Sequence, residues 1–458
     1  MTISPDSSAT PNPSAVNFRT VDLRGRRLTL AGLRAVVPRA GHQATADAEQ
    51  NVTAIIADVR QRGFAALSDL ARRFDGVEQT HPRVPAEALT AALENLDPAV
   101  RAALTESINR AGRFAEAQRP ANIDVELGDG AVVSQNWVPV ARVGLYVPGG
   151  LAPLASSVIM NVVPALAAGV KSIALASPPQ KDRDGLPDPT ILAAAALLGI
   201  KEVYAIGGAQ AIAAFAYGIP AGDAGPSLEP VDVITGPGNI FVATAKRLVR
   251  GVVGIDSEAG TTEIAILADS TATPALVAAD LISQAEHDPK AGSVLITESE
   301  FLAAAVREEL EIQAASTKHS QRVIEALSGP QSGVVLVDDL EQGIAVCDAY
   351  AAEHLEIMTA EAPSVAARIR NAGAIFVGDY SPVSLGDYCA GSNHVLPTSG
   401  TAAFSSGLNV TTFMRAIQVI NYSRSALEHV SGHILSLSGA EDLPAHGDAV
   451  TARFSKGN

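Results

Sequence analysis

Gln284 and His287 stand three residues apart in Ser283-Gln284-Ala285-Glu286-His287-Asp288, at the tail of an amphipathic apolar run. On a helix starting near Thr271 that spacing puts both side chains on one face, where they can share a metal ion. Two later stretches carry what a zinc-dependent redox site would still need. Tyr350-Ala351-Ala352-Glu353-His354 brings an acid/base pair, since imidazole titrates near neutrality and a carboxylate can orient or deprotonate water. Neighbours on a helix diverge by ~100°, so Glu353 and His354 reach one pocket only from a turn or an element end. Gly386-Asp387-Tyr388-Cys389-Ala390-Gly391-Ser392-Asn393-His394 adds a carboxylate and an imidazole, and its glycines favour a loop over two helical turns. Together these segments point to one site assembled from distant parts of the chain.

Each feature has a plainer reading. An isolated Glu-His pair is usually a surface pair, and an isolated Asp or His more often caps a turn than binds metal. His429 and His433 have the i, i+4 spacing of a helical zinc pair, but Gly432 lies between them and no Glu follows His429. His42, His81 and His319 belong to no constellation.

Gly236-Pro237-Gly238-Asn239 follows an apolar strand and precedes the helical run Ile240 to Arg250, so small residues let the backbone approach a ligand at a helix N-terminus. Phe241 replaces the third glycine of a dinucleotide fingerprint, and Asp256 is the nearest acid for a ribose. A tight turn capped by Asn239 is the competing reading. Gly207-Gly208-Ala209-Gln210 and Tyr146-Val147-Pro148-Gly149-Gly150 occupy matching strand-to-helix positions. Such repetition predicts one crevice at the carboxyl edge of a sheet.

The elements that must position these residues read as an α/β protein. Strands are expected at Val143 to Val147, Ser172 to Ala176, Val203 to Ile206 and Val231 to Thr235. A second series covers Glu263 to Leu267, Ser293 to Thr297, Val334 to Val337 and Ala374 to Val377, with Ala-rich helical runs between. Two similar, incomplete Rossmann-like parallel-sheet domains follow, over 141–258 and 259–398. A helical N-terminal region, 18–140, is expected to pack on the second of them, and a small helical C-terminal segment spans 399–458. At 458 residues two or more lobes are required. A net charge of -16 without a basic cluster excludes nucleic-acid binding. Leu151 to Val170 is uncharged but broken by Pro153, Ser156, Ser157, Asn161 and Pro164, so it reads as a buried helix rather than a membrane span. Residues 1–17, rich in Ser, Pro and Thr, read as a disordered tail and not a signal peptide, which places the protein in the cytoplasm. Cys347 and Cys389 form no C-x-x-C pair, which rules out a thiolate zinc cage and leaves N and O ligands for any metal.

These stretches form a family pattern: Ser283-Gln284-Ala285-Glu286-His287, Glu353-His354-Leu355, Gly386-Asp387-Tyr388 and Asn393-His394-Val395-Leu396-Pro397-Thr398, with the glycine motifs at 143–150 and 236–239. From roughly Asp47 to Val450 the chain resembles the L-histidinol dehydrogenase family. The resemblance implies oxidation of L-histidinol through L-histidinal to L-histidine with two NAD, the last steps of histidine biosynthesis. It also implies one zinc ion per subunit, held by Gln284, His287, Asp387 and His446, although spacing alone favours Glu286 over Gln284 because carboxylates bind zinc more often than amides. Glu353 and His354 become the acid/base pair, and His354, the four metal ligands, His394, Glu441 and Thr262 contact substrate. Thr262 stands in Gly260-Thr261-Thr262-Glu263 where the family carries a serine. Tyr146, Gln210 and Asn239 are implied on the NAD side. The family also implies a homodimer whose C-terminal segment crosses over, so that His446 completes the other subunit's site. The alternatives are a dehydrogenase on the same scaffold acting on another polar alcohol such as a sulfonated diol, and, further off, a zinc hydrolase or a non-catalytic metal binder.

Overall fold

Short apolar runs buried on both faces build two parallel sheets with one topology, each strand being apolar throughout because helices cover both sides. The computed structural model describes residues 16–39, 46–149, 152–222, 225–258 and 260–455. Residues 1–15 of the expected tail, His42 and Gly150 lie outside them. Across the first sheet the strands run Glu202–Ala205, Ser172–Ser177, Arg142–Tyr146, Val233–Thr235, Gly254–Ile255. Across the second they run Thr20–Asp22, Gly333–Leu336, Gly292–Thr297, Glu263–Ala268, His354–Met358, Ala374–Val377. Numbered within each half, both sheets have the order 3-2-1-4-5 of an unfinished dinucleotide-binding fold, and the second gains Thr20–Asp22 at one edge. The two-domain α/β expectation holds.

Four strands depart from the expectation. His354–Met358 pairs along its whole length with Glu263–Ala268 and was hidden because two of its five residues are titratable. Ile123–Gly128 and Ala131–Pro139 form an antiparallel hairpin in the region expected to be helical, and Met414–Tyr422 joins it where a helix was expected. The β-branched residues Ile417, Val419 and Ile420 suit an extended strand better than a helix.

The N-terminal helices also pack differently from the expectation. Ala46–Arg62 lies on Gly208–Tyr217 and Ile240–Val249 of the first domain, Ala86–Glu94 on Pro189–Leu197, and Pro98–Ala117 on Ala155–Ala168. The stripe Val52, Ile56, Val59 is what directs the first of these, because it joins one buried cluster with Ile212, Phe215 and Val242. Of the described N-terminal elements, Thr20–Asp22 and Leu30–Val36, which packs on Leu340–Tyr350, lie on the second domain. The apolar run after Leu151 is the helix Ala155–Ala168, with Val158, Ile159 and Val162 fully buried. Among the described residues no helix is long and apolar enough to cross a membrane.

At the switch point of the first sheet, Gly236 has φ +122°, and a Cβ there would lie 2.0 Å from the carbonyl oxygen of Tyr146. Only glycine fits. The turn is braced by Asp256, which accepts from the Gly236 N–H at 2.8 Å and pairs with Lys246, itself donating to the Gly236 carbonyl at 3.0 Å. Asp256 is therefore consumed by the turn and is not free for a ribose. Both side chains are almost completely buried, so removing either leaves an uncompensated charge. Lys246→Met is expected to cost about 3–5 kcal/mol of unfolding free energy by denaturant titration. A loss within experimental error would show that the pair does not hold the turn.

Candidate active site

His354 opens its strand and Glu353 is the residue before it, so the adjacent pair reaches one pocket from an element end, as the sequence requires. Thr262 likewise immediately precedes Glu263–Ala268, the neighbouring strand. All three side chains gather at the amino edge of the second sheet. Gln284 lies in the last turn of Pro274–Ala285, with His287 just past the helix end. Asp387 is on the short helix Val383–Tyr388, and not on a loop as expected, whereas His394 does lie in irregular chain.

Hydrogen bonds decide how these groups face. The Thr262 hydroxyl donates to Oε2 of Glu353 at 2.5 Å, and that oxygen also accepts from the Glu263 N–H at 3.0 Å. With its proton so engaged, Thr262 accepts from Nε2 of Gln284 at 2.6 Å. Oε1 of Gln284 is then turned away and is fully buried without a partner. Nε2 of His287 lies 3.8 Å from Oδ2 of Asp387, and Nδ1 of His394 is 3.6 Å from the other Asp387 oxygen and 3.1 Å from its carbonyl. His354 places Nδ1 3.3 Å from the carbonyl of Glu263. A carbonyl can only accept, so Nδ1 of both His354 and His394 carries the hydrogen, leaving Nε2 of His354 as the base. Nε2 of His394 accepts from the Ser157 hydroxyl at 3.1 Å.

Burial sets the electrostatics. Desolvation pushes Glu353 up to about 7, against the downward pull of Thr262, the Glu263 N–H and His287. Desolvation likewise raises Glu263 to about 7, although Arg39 opposes it. His354 and His394 are both lowered by desolvation and so are neutral bases near pH 7.

Oε1 of Gln284, Nε2 of His287 and a carboxylate oxygen of Asp387 form an N/O donor set that suits zinc and falls one short of four. The buried, unpartnered Oε1 is the observation that fits a cation, and it favours Gln284 over Glu286. Among the described residues no group of three or more His, Cys, Asp and Glu side chains is placed to hold a metal. The fourth implied ligand, His446, is exposed on Pro444–Thr451, and Glu441 is exposed at the end of Arg424–Ala440. These helices pack on each other, and among the described residues no hydrogen bond or ion pair joins either side chain to the cluster. Within one chain, then, the structure does not bring His446 and Glu441 to the site. His429 and His433 are also exposed on Arg424–Ala440, with no third ligand.

The glycine-bearing ends lie at the carboxyl edge of the first sheet. The Tyr146 hydroxyl accepts from the Gly208 N–H at 3.0 Å, and Gln210 is buried just beyond. Asn239 caps its helix through the Phe241 and Val242 N–H groups, so the plainer reading of that residue holds. The two edges meet through the Ser157–His394 bond and through Asn393, which donates to the Met160 carbonyl at 2.6 Å. Ser157 and Glu263 carry no sequence signal of their own beyond closeness to the motifs at Gly149 and Thr262.

The profile of the family described as histidinol dehydrogenase matches residues 39–454. A histidinol dehydrogenase from Nocardia farcinica is 60% identical over 441 residues, covering 96% of this chain and 99% of the relative. One from Thermobifida fusca is 60% identical over 436 residues, 95% of this chain and 97% of the relative. The crystal structure of histidinol dehydrogenase from Elizabethkingia anophelis superposes with a TM-score of 0.88 at 32% identity, covering 96% and 98% of the two chains.

Because Glu353 is raised in the folded state, its contribution to stability is fully present below pH about 4.5 and is lost as pH rises through about 7. Glu353→Gln in metal-free protein is therefore expected to gain on the wild type across that window, by up to about 3 kcal/mol. Calorimetry against pH measures the gap, and a gap independent of pH would contradict the buried-carboxyl reading.

Proposed function

This chain belongs to the histidinol dehydrogenase family, enzymes that oxidise histidinol in histidine biosynthesis, and on that premise we propose a zinc- and NAD-dependent, four-electron oxidation of L-histidinol to L-histidine. The observation that carries the reading is the orphaned, buried Oε1 of Gln284, on a helix that ends just before His287 and packs on the helix of Asp387, with an acid/base pair at the same sheet edge. Gln284, His287, Asp387 and His446 of the partner subunit would hold the metal. Zinc bound there would supply a Lewis acid for holding and polarising the substrate.

The protein's own groups then act in turn. Nε2 of His354, neutral because of burial, takes the hydroxyl proton while hydride passes from the carbinol carbon to NAD, giving the aldehyde and NADH. Glu353, near neutrality in its titration, removes a proton from water as that water adds to the aldehyde. Loss of a second hydride to a second NAD then yields the acid. Thr262 keeps Glu353 and Gln284 in register, and His394 and Glu441 contact substrate. Tyr146, Gln210 and Asn239 border the NAD side at the first sheet's switch point. The free cysteines Cys347 and Cys389 suit a reducing, cytoplasmic setting.

The C-terminal arm supports a homodimer. Ile417, Val419 and Ile420 on its strand and Leu435, Leu437 and Leu443 on its helices are exposed, next to exposed Ile123, Val125 and Leu127 of the hairpin. A second copy is the occupant that would bury this face and deliver Glu441 and His446.

Two measurements test the reading. Histidinol should yield two NADH per molecule, with activity lost on chelation and restored by zinc, and Glu353→Gln should slow the aldehyde step far more than the alcohol step. Equal losses in both steps would contradict the division of labour. Separately, inactive His446→Ala and Glu353→Gln dimers, unfolded together and refolded, should recover roughly a quarter of wild-type activity, because each hybrid then holds one intact site. No recovery would place His446 in its own subunit's site.

A further inference from the structure

Beneath the zinc-binding side chains lies a pair of acids with no role in the chemistry above. Glu356 sits in the middle of the strand opened by His354 and shares its face, because residues two apart on a strand point the same way. Its side chain is 1% exposed, in a cluster of Ile264, Val277, Leu281, Met358, Phe376 and Val383. Asp280 is 8% exposed on Pro274–Ala285, one helical turn before Gln284. The two carboxyls face each other closely enough to interact directly.

The hydrogen-bond inventory forces a proton into this pair. Oε1 of Glu356 accepts from the Val383 N–H at 2.9 Å, at the first residue of Val383–Tyr388, whereas Oε2 is buried and receives no N–H or hydroxyl. Two facing carboxylates supply only acceptors, so an ionised pair would leave like charges in contact in an apolar core. Among the described residues no basic side chain offsets them. Desolvation accordingly raises both acids, Glu356 well above its ordinary value and Asp280 to about 6.

We propose that Asp280 and Glu356 share one proton and serve as a positioning pair for the metal site. The shared hydrogen bond ties together three elements. Pro274–Ala285 ends in Gln284, His354–Met358 begins with the base, and Val383–Tyr388 carries Asp387 and packs on the first of these. Glu356 also caps the N-terminus of that short helix from across the core. The pair touches neither substrate nor metal. It sets how far apart Gln284 and Asp387 stand.

The positioning half of this proposal rests on the zinc reading; the shared proton does not. Infrared difference spectra of wild type against Asp280→Asn and against Glu356→Gln should each show loss of the same protonated-carboxyl band at mildly alkaline pH. An amide mimics the protonated acid, so Glu356→Gln should bind zinc within about twofold of wild type, measured by competition with a chromophoric chelator, whereas Glu356→Leu should weaken zinc on the order of tenfold. Should Glu356→Leu fail to fold by circular dichroism, Asp280→Ala, which spares the Val383 bond, takes its place. Absence of the band, equal damage from Gln and Leu, or wild-type zinc affinity in the Leu or Ala variant would each overturn the proposal. Loss of all zinc binding in the wild type would instead fault the zinc reading and leave the infrared result to judge the proton.

Discussion

The Thr262 hydroxyl has one hydrogen to give and must choose where to give it. Spent on Glu353, it leaves the oxygen to accept from Gln284, and that choice leaves the amide oxygen of Gln284 buried without a hydrogen-bond partner among the described residues. In water such a preference would be worth little. Here Glu353 and Gln284 are both out of solvent, so a misdirected dipole would have no replacement partner. The same dryness lifts Glu353 to about 7 and keeps His354 uncharged. Orientation and protonation state thus have one cause.

Two sheets of identical order are used at opposite edges. The first presents its carboxyl edge, where Gly236 brings backbone against Tyr146 too closely for any side chain. The second presents its amino edge, where Thr262, Glu353 and His354 start neighbouring strands. Parallel pairing makes this economical, because adjacent strands that begin level deliver adjacent side chains without a long loop. The buried face behind them carries Asp280 and Glu356, so the acid/base pair and the carboxylate–amide set stand on a common support.

The C-terminal arm stands apart from the site within one chain. Its helices pack chiefly on each other and leave Glu441 and His446 exposed. An exposed apolar strand beside an exposed apolar hairpin is a surface that favours a covering partner.

Sequence alone determined the parts whose signal is local. Apolar runs of strand length alternating with Ala-rich stretches encode two parallel sheets, and glycine after a strand encodes a close approach. A Glu-His neighbour pair demands an element end, and that is where it is found. The family pattern adds the residue set but not its geometry. Tertiary structure alone decided the rest. Asp256 reads as a ribose acid until Lys246 and Gly236 claim it, and the N-terminal helices settle on the first domain because Val52, Ile56 and Val59 match its cluster. His354–Met358 is a strand in spite of two titratable residues, because Glu356 finds Asp280 across the core. The physical reason is common to all of these. Local backbone preference depends on neighbours in the chain, whereas the fate of a buried polar group depends on a partner tens of residues away, or on another subunit.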